Sequence, residues 1–305
     1  MRSMLLTTLT TACFLASCAE EAQDPTDNEP GEPQSVEALT PAEAAPPPSV
    51  LPSLSPLWVA TGFEKPEGTA LDPEGNYFIS NVGGGATDEK DGDGYITVVY
   101  PEGEIAIERW AEGLDAPKGM VIKDGTLYVT DIDTVRRFDM YSGAAFDPIV
   151  IEGAQFLNDA TLWQEQVYVS DSRTGRIHRI TEDTAEVWKE GEELAGINGL
   201  LGDGDRLLIA TMETGHLYTA SADGTLTTIA SGMLKADGIG LVPDGGYMVS
   251  SWPGEVYFVS EEGEITSVLN TRNDQITQND LTMFGRTVII PNMSANTVTA
   301  WRVVR

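Results

Sequence analysis

Six short polar motifs recur along the chain and contain the residues best suited to chemistry. The polar residue of each motif lies 51, 40, 40, 39 and 42 positions after the previous one, in the order Glu67, Lys118, Asn158, Asn198, Asp237 and Asn279. The set offers two carboxylates and three amide oxygens, with no His or Cys. Hard oxygen donors of this kind suit a divalent cation, with Ca²⁺ as the first choice and Mg²⁺ or Mn²⁺ as alternatives. Asn, Asp and Gly are also common in ordinary turns, so the signal comes from the shared register and not from any single motif.

A second repeat indicates the elements that must position these residues. Short runs rich in β-branched and aromatic residues end at Asn81, Asp131, Asp171, Thr211, Ser251 and Asn292, at intervals of 50, 40, 40, 40 and 41 residues. The one long interval contains a Gly- and Asp-rich insertion, GGGATDEKDGDG, at 83–94. Six units of about forty residues predict an all-β fold over 56–305, a six-bladed β-propeller with four-stranded blades.

The ends of the repeat region predict how the ring closes. The last unit ends in NTVTAWRVV (296–304) without an outer strand of its own, whereas LWVATGF (57–63) resembles the outer strands of earlier units. We therefore expect residues 57–61 to complete the last blade, which removes an exposed sheet edge. In a closed ring, equivalent positions converge on the central axis, so the six polar motifs are expected to meet at the channel mouth.

The N-terminus is typical of an exported, lipid-anchored protein. Residues 1–17 combine a basic start with a short apolar run, as a signal peptide does, and LASC (15–18) resembles the lipobox of bacterial lipoproteins. This predicts lipidation at Cys18 and, with Ala19 next to it, a location in the cell envelope at the outer membrane, facing the periplasm. Residues 18–55 are acidic and rich in Pro and Ala, which predicts a disordered tether. An ordinary secretory signal with a chance cysteine is the alternative.

The overall charge limits the classes of partner that the protein can bind. A net charge of −30 and a pI near 4.1 exclude nucleic acid, because phosphate would be repelled. The only cysteines are Cys13 and Cys18, so no disulfide is expected within the propeller. We expect a monomer that acts on a small molecule.

Over 57–305 the chain resembles the gluconolactonase/regucalcin (senescence-marker-protein) family, and more distantly the paraoxonases and diisopropylfluorophosphatase. The resemblance is carried by KPEGTALD, FLNDATL, GINGLL and ADGIGL. It implies that Glu67, Asn158, Asn198 and Asp237 hold one catalytic divalent cation and that the reaction is hydrolysis of a lactone or related ester. Asp237 is then the candidate to activate water or to attack directly.

Other residues keep more than one interpretation. Lys118, Asn279 and Trp252 are candidates for the substrate pocket, although Lys118 could instead neutralise the ring and leave it inactive, and Trp252 could instead pack in the core. Asp159 is expected to brace a turn or to bind a second ion, and the acidic insertion to be a solvated loop, an overhang or a second cation site. His178 and His216 are predicted to lie on third strands, away from the chemistry. The alternative function is a non-catalytic propeller that binds a small ligand or a protein.

Overall fold

The computed structural model describes residues 51–305. Residues 1–50, which contain the predicted signal peptide, Cys18 and most of the predicted tether, lie outside the described residues. The described part contains six four-stranded antiparallel sheets, so the predicted six-bladed propeller is confirmed. None of its helices is long and apolar enough to cross a membrane.

Blades 1 to 3 each use four consecutive strands, ordered from the channel outward. Blade 1 contains β2 (Pro66–Leu71), β3 (Tyr77–Asn81), β4 (Gly94–Val99) and β5 (Ile105–Leu114). Blade 2 contains β6 (Pro117–Lys123), β7 (Thr126–Asp131), β8 (Thr134–Asp139) and the two-residue β9 (Ile149–Val150). Blade 3 contains β10 (Leu157–Trp163), β11 (Gln166–Asp171), β12 (Arg176–Thr181) and β13 (Thr184–Glu190).

Blades 4 and 5 follow the same plan, and blade 6 departs from it. Blade 4 contains β14 (Ile197–Asp203), β15 (Arg206–Thr211), β16 (His216–Ala220) and β17 (Leu226–Ser231). Blade 5 contains β18 (Ala236–Leu241), β19 (Tyr247–Ser251), β20 (Glu255–Val259) and β21 (Ile265–Asn270). Blade 6 contains β22 (Thr282–Phe284), β23 (Thr287–Asn292), β24 (Thr297–Val304) and, as its outer strand, β1 (Ser53–Thr61). Three short 3₁₀ turns lie at Glu192–Leu194, Arg272–Asp274 and Met293–Ala295.

The core lies between neighbouring blades. One apolar cluster joins Phe78 and Ile96 of blade 1 to Leu127 and Val129 of blade 2. The inner strands of a blade therefore bury both faces, which explains why every residue of β3 and β4 is buried and why burial does not alternate along them. This packing holds the inner strands in fixed positions around the channel.

The ring closes as predicted, through a longer strand. β1 pairs antiparallel with β24, from Ser53 opposite Val304 to Thr61 opposite Thr297. The strand begins at Ser53, four residues before the segment 57–61 that the repeat analysis assigned to it. Because β1 pairs with β24, the three strands β22 to β24 do not end in an open edge, and the two ends of the described residues are held in one sheet.

Candidate active site

The inner ends of the blades surround a cavity of about 440 Å³. All seven residues predicted for the metal site and the substrate pocket line this one cavity: Glu67, Lys118, Asn158, Asn198, Asp237, Trp252 and Asn279. In blades 1 to 5 the polar motif lies within the innermost strand, whereas in blade 6 it precedes β22, which begins only at Thr282. The periodic register in the sequence therefore corresponds to a real convergence in space.

Side chains at the ends of the second strands hold the mouth in shape. The carboxylate of Asp131 accepts hydrogen bonds from the backbone N–H groups of Asp115 and Ala116, just before Lys118 in the chain. Asp171 accepts in the same way from Gln155 and Phe156, just before Asn158. These acidic residues marked the repeat in the sequence, and their structural role is to fix the segment that leads into each inner strand.

The glycine after four of the ring residues serves inter-blade packing. A Cβ atom added to Gly68 would lie 2.5 Å from the carbonyl oxygen of Lys118 in the next blade, and one added to Gly119 would lie 2.5 Å from the Cα of Asp159. Gly199 and Gly238 meet the following blade equally closely. These glycines are thus required by close backbone approach and not by a turn.

Blades 3 and 6 carry an aspartate where the other blades have this glycine. Asp159 accepts hydrogen bonds from the backbone N–H of Ala160, at 2.7 Å, and from that of Leu200 in blade 4, at 2.6 Å. Asp280 accepts from Leu281 at 2.7 Å. Both carboxylates line a separate cavity of about 230 Å³, which does not include any of the seven predicted site residues. The bond to Ala160 is local, as expected of a residue that braces a turn, whereas the bond to Leu200 links blade 3 to blade 4, which was not predicted.

Two carboxylates at the mouth are buried without side-chain partners among residues 51–305. Glu67 is 5% exposed and Asp237 is 3% exposed. Unlike Asp131 and Asp159, neither forms a side-chain hydrogen bond or ion pair with any of residues 51–305. Buried carboxylates are normally paired or bound to a cation. Their situation therefore fits a site that receives a positively charged ligand.

The neighbouring amides complete an oxygen-rich set. Asn158 donates from Nδ2 to the Ser172 hydroxyl at 3.2 Å, which turns its Oδ1 atom away from that contact and leaves it available as a ligand. Asn198 is buried and its side chain has no hydrogen bond within the described residues. No group of three or more His, Cys, Asp or Glu side chains in residues 51–305 is arranged to hold a metal. A cation here would depend on the two carboxylates together with the amides, a donor set that suits hard ions.

The electrostatics of the mouth disfavour two free negative charges. Burial raises the pKa of Glu67 well above its ordinary value, Lys118 opposes this shift, and Asp237 adds to it. Burial also raises the pKa of Asp237, and the charges of Asp280 and Asp159 raise it further. The carboxylates thus destabilise one another in the absence of an added positive charge.

Lys118 is 1% exposed, and its ammonium uses two of its three N–H groups in hydrogen bonds. Nζ donates to the carbonyl oxygens of Ala116, at 2.8 Å, and Thr87, at 2.9 Å, and lies 4.4 Å from the centre of the Phe156 ring. Burial lowers the pKa of Lys118, and the charge of Glu67 opposes the shift. Lys118 therefore joins the cavity wall to the insertion and retains one further N–H for a ligand.

The insertion between β3 and β4 overhangs the cavity. Thr87 lines the cavity, and Asp88 forms a 2.5 Å ion pair with Arg173 of blade 3. Lys90 pairs with Asp133 of blade 2 at 2.6 Å. The acidic insertion is thus attached to two other blades, which corresponds to the overhang among its three expected roles.

Sequence reasoning missed a second ring of lining residues. Ser172, Met212, Trp252 and Met293 each directly follow the end of a second strand, and all four line the cavity. Only Trp252 was predicted, although the repeat contained the register for all of them. Phe156, Arg173 and Lys235 also line the cavity and were not foreseen.

Both histidines lie on third strands, as predicted. His178 is in β12 and His216 is in β16. Neither lines the cavity.

Comparisons with known proteins support the fold. No family model and no curated protein matches the sequence. A gluconolactonase from Xanthomonas campestris superposes with a TM-score of 0.64 at 14% identity, covering 87% of this chain and 99% of the other. Virginiamycin B lyase from Staphylococcus aureus, solved with quinupristin, gives 0.59 at 13% identity and covers 83% and 100%. A chain of the nidogen–laminin complex gives 0.60 at 14% identity and covers 68% and 86%. At this level of identity the likeness establishes the fold: the chain is a six-bladed β-propeller whose structural neighbours include a gluconolactonase and a lyase.

Proposed function

We propose that the protein is a divalent-metal-dependent hydrolase of a lactone or related ester, with Ca²⁺ as the preferred ion. The observation that carries this proposal is the pair of buried, unpartnered carboxylates, Glu67 and Asp237, on one cavity with two amide oxygens. The structural similarity to a gluconolactonase is consistent with this proposal, although that similarity concerns the fold alone.

In this proposal the residues of the mouth divide the work. Glu67 and Asp237 bind the cation by charge, while the Oδ1 atoms of Asn158 and Asn198 orient it without adding charge. When bound, the cation supplies Lewis-acid polarisation of the substrate carbonyl. Asp237 would accept the proton of the water that attacks the carbonyl carbon and return it to the leaving oxygen as the acyl C–O bond breaks. Alternatively, Asp237 would attack the carbonyl carbon itself and displace that oxygen, which takes a proton from water, and a second water would hydrolyse the resulting anhydride. The buried ammonium of Lys118 offers its remaining N–H to a substrate oxygen.

The neighbouring residues support the proposal by shaping the cavity. The insertion covers one side through Thr87, and Trp252 forms an exposed wall on another. A partly covered site excludes water and strengthens the interactions that stabilise a developing oxyanion.

The test uses the full-length chain and its Asp237→Asn variant on a panel of lactones and aryl esters, with Ca²⁺ or with chelator. Asp205→Asn, which removes an exposed carboxylate, is the matched control. Calorimetric Ca²⁺ titration provides a readout that does not depend on turnover. We expect turnover that requires both Ca²⁺ and Asp237. Ca²⁺ binding without turnover of any substrate would favour the non-catalytic binding propeller, and absence of binding would overturn the metal site.

We also propose that Cys18 anchors the protein by lipid at the outer membrane, facing the periplasm. The support is the sequence LASC at 15–18 after an apolar run. Metabolic labelling with a fatty-acid analogue tests it: the native chain should incorporate the label and Cys18→Ser should not. Equal labelling of both chains would refute the assignment.

A further inference from the structure

Among the described residues, Lys235 is an unpaired cation in a strongly acidic protein. Within residues 51–305, every Lys and Arg side chain except Lys235 and Arg302 forms an ion pair or a hydrogen bond. Both side chains are exposed, but Arg302 lies on β24 away from the cavity, whereas Lys235 lines it. With 48 acidic residues in the chain, a cation that faces a cavity without a carboxylate within 4 Å calls for an explanation.

The backbone places Lys235 at the mouth at a local cost. Lys235 has a φ of +52°, in the left-handed region that non-glycine residues seldom adopt. Lys65 occupies the equivalent position in blade 1, two residues before Glu67, and has a φ of +50°. Its Nζ donates to the carbonyl oxygen of Gly84 at 2.8 Å and so supports the insertion. Blade 5 has no such insertion, so Lys235 keeps the same geometry without an internal acceptor.

An aromatic residue, Trp252, is tied to Lys235 through the backbone. The backbone N–H of Trp252 donates to the carbonyl oxygen of Lys235 at 3.2 Å, which ties the two residues together. Trp252 is 42% exposed and lines the same cavity. An exposed indole offers a flat apolar face on which a sugar or lactone ring can lie. Arg173, another cation on the cavity, is already paired with Asp88.

We propose that Lys235 and Trp252 form a subsite for a substrate that carries an anionic group, a carboxylate or a phosphate, on its ring. This inference rests on the proposed hydrolase function and specifies its substrate class. The net charge of −30 repels anions from the protein as a whole, so an anionic substrate needs a local cation to be retained. Lys235 binds the anionic group, and the indole of Trp252 supports the ring.

Matched lactone pairs test the subsite in the full-length chain. D-Glucaro-1,4-lactone carries a carboxylate where D-glucono-1,4-lactone carries a hydroxymethyl group. 6-Phosphoglucono-1,5-lactone beside glucono-1,5-lactone tests phosphate. The variants are Lys235→Met, which removes the charge but keeps an unbranched side chain of similar length, and Lys235→Arg, which keeps the charge. Arg302→Met, which removes the other unpaired cation, is the control.

The native chain should prefer one of the charged lactones, with the pair identifying carboxylate or phosphate. Lys235→Met should reduce kcat/KM for that lactone by about tenfold or more, as loss of a charge-assisted hydrogen bond does, chiefly through KM. Turnover of the neutral lactone should be unchanged, and both Lys235→Arg and Arg302→Met should retain the preference. Equal losses for charged and neutral lactones, or no preference in the native chain, would overturn the subsite.

The neutral lactones separate this inference from the proposed function. Failure to hydrolyse any of the lactones or aryl esters would refute the hydrolase, and calorimetric binding of the same lactone pairs would then decide on the subsite. Tighter binding of a charged lactone that is lost in Lys235→Met would support it, and equal binding would refute it.

Discussion

Removal of one partly buried charge, by Asp280→Asn, should stabilise the propeller at neutral pH. Asp280 is half-buried and lines the 230 Å³ cavity together with Asp159. Burial raises its pKa from 3.8 to about 6, although hydrogen bonds from Leu281, Thr282 and Thr69 oppose the shift. A carboxyl with a raised pKa takes up its proton more readily in the folded protein than in the unfolded chain. It therefore contributes stability at low pH that is lost as the pH rises from about 4 to about 6.

The size of the effect follows from this shift. Two pKa units correspond to about 3 kcal/mol at pH values above the folded pKa. The carboxyl lines a cavity large enough to hold water, which screens its charge, and Asn keeps only one of the two acceptor oxygens. We therefore subtract about 1–2 kcal/mol from this free energy for screening and lost hydrogen bonds. The net expectation is that Asp280→Asn raises the free energy of unfolding by about 1–2 kcal/mol near pH 7 and gives no gain near pH 4.

Urea unfolding in chelator at both pH values measures this difference, and chelator keeps a bound cation from masking the charge. Asp205→Asn removes an exposed carboxylate and should change the free energy of unfolding little at either pH. The reasoning that the ionised Asp280 destabilises the fold would be refuted by either of two results. One is a lower free energy of unfolding for Asp280→Asn near pH 7, and the other is an increase of equal size at both pH values.

Three further predictions test the frame of the site. Gly199→Ala should reduce the free energy of unfolding by about 2 kcal/mol, because the added methyl group would overlap the carbonyl oxygen of Asp237; an unchanged urea midpoint would contradict this close packing. Deletion of residues 1–61 removes β1 and exposes the edge of β24, so the shortened protein should aggregate and have a lower melting temperature. A soluble product with the native melting temperature would contradict closure of the ring by β1. Asp88→Ala breaks the ion pair to Arg173, so amide hydrogen exchange in 84–93 should speed up while the melting temperature stays nearly constant; unchanged exchange would show that the insertion is held by its other contacts.

The site could be predicted in outline because the fold is periodic. In a closed ring, one step along the repeat is one rotation about the axis, so Glu67, Asn158, Asn198 and Asp237 could be assigned to a common mouth from their spacing alone. The same reasoning missed Met212 and Met293, although they occupy an equally regular position, because apolar residues after a strand carry no chemical signal.

The partners of these side chains could not be predicted, because they come from distant parts of the chain. Nothing in the order of residues indicates that the ammonium of Lys118 meets the carbonyl of Thr87, or that Asp88 meets Arg173. Likewise, the glycines of the ring motifs look like turn residues until the neighbouring blade is in place. Hydrogen bonding, desolvation and close packing depend on neighbours in space, which the fold alone brings together.

The sequence by itself determined the number of blades, the strand that closes the ring and the types of side chain at the channel mouth, because these depend on local β propensity and on a constant period. Only the tertiary structure decided which of those side chains are satisfied and which are not. Asp131 and Asp159 accept hydrogen bonds from backbone N–H groups, whereas Glu67, Asp237 and Lys235 line the cavity and have no side-chain partner among residues 51–305. That difference arises from burial and from contacts between blades, which a repeat of residue types does not encode.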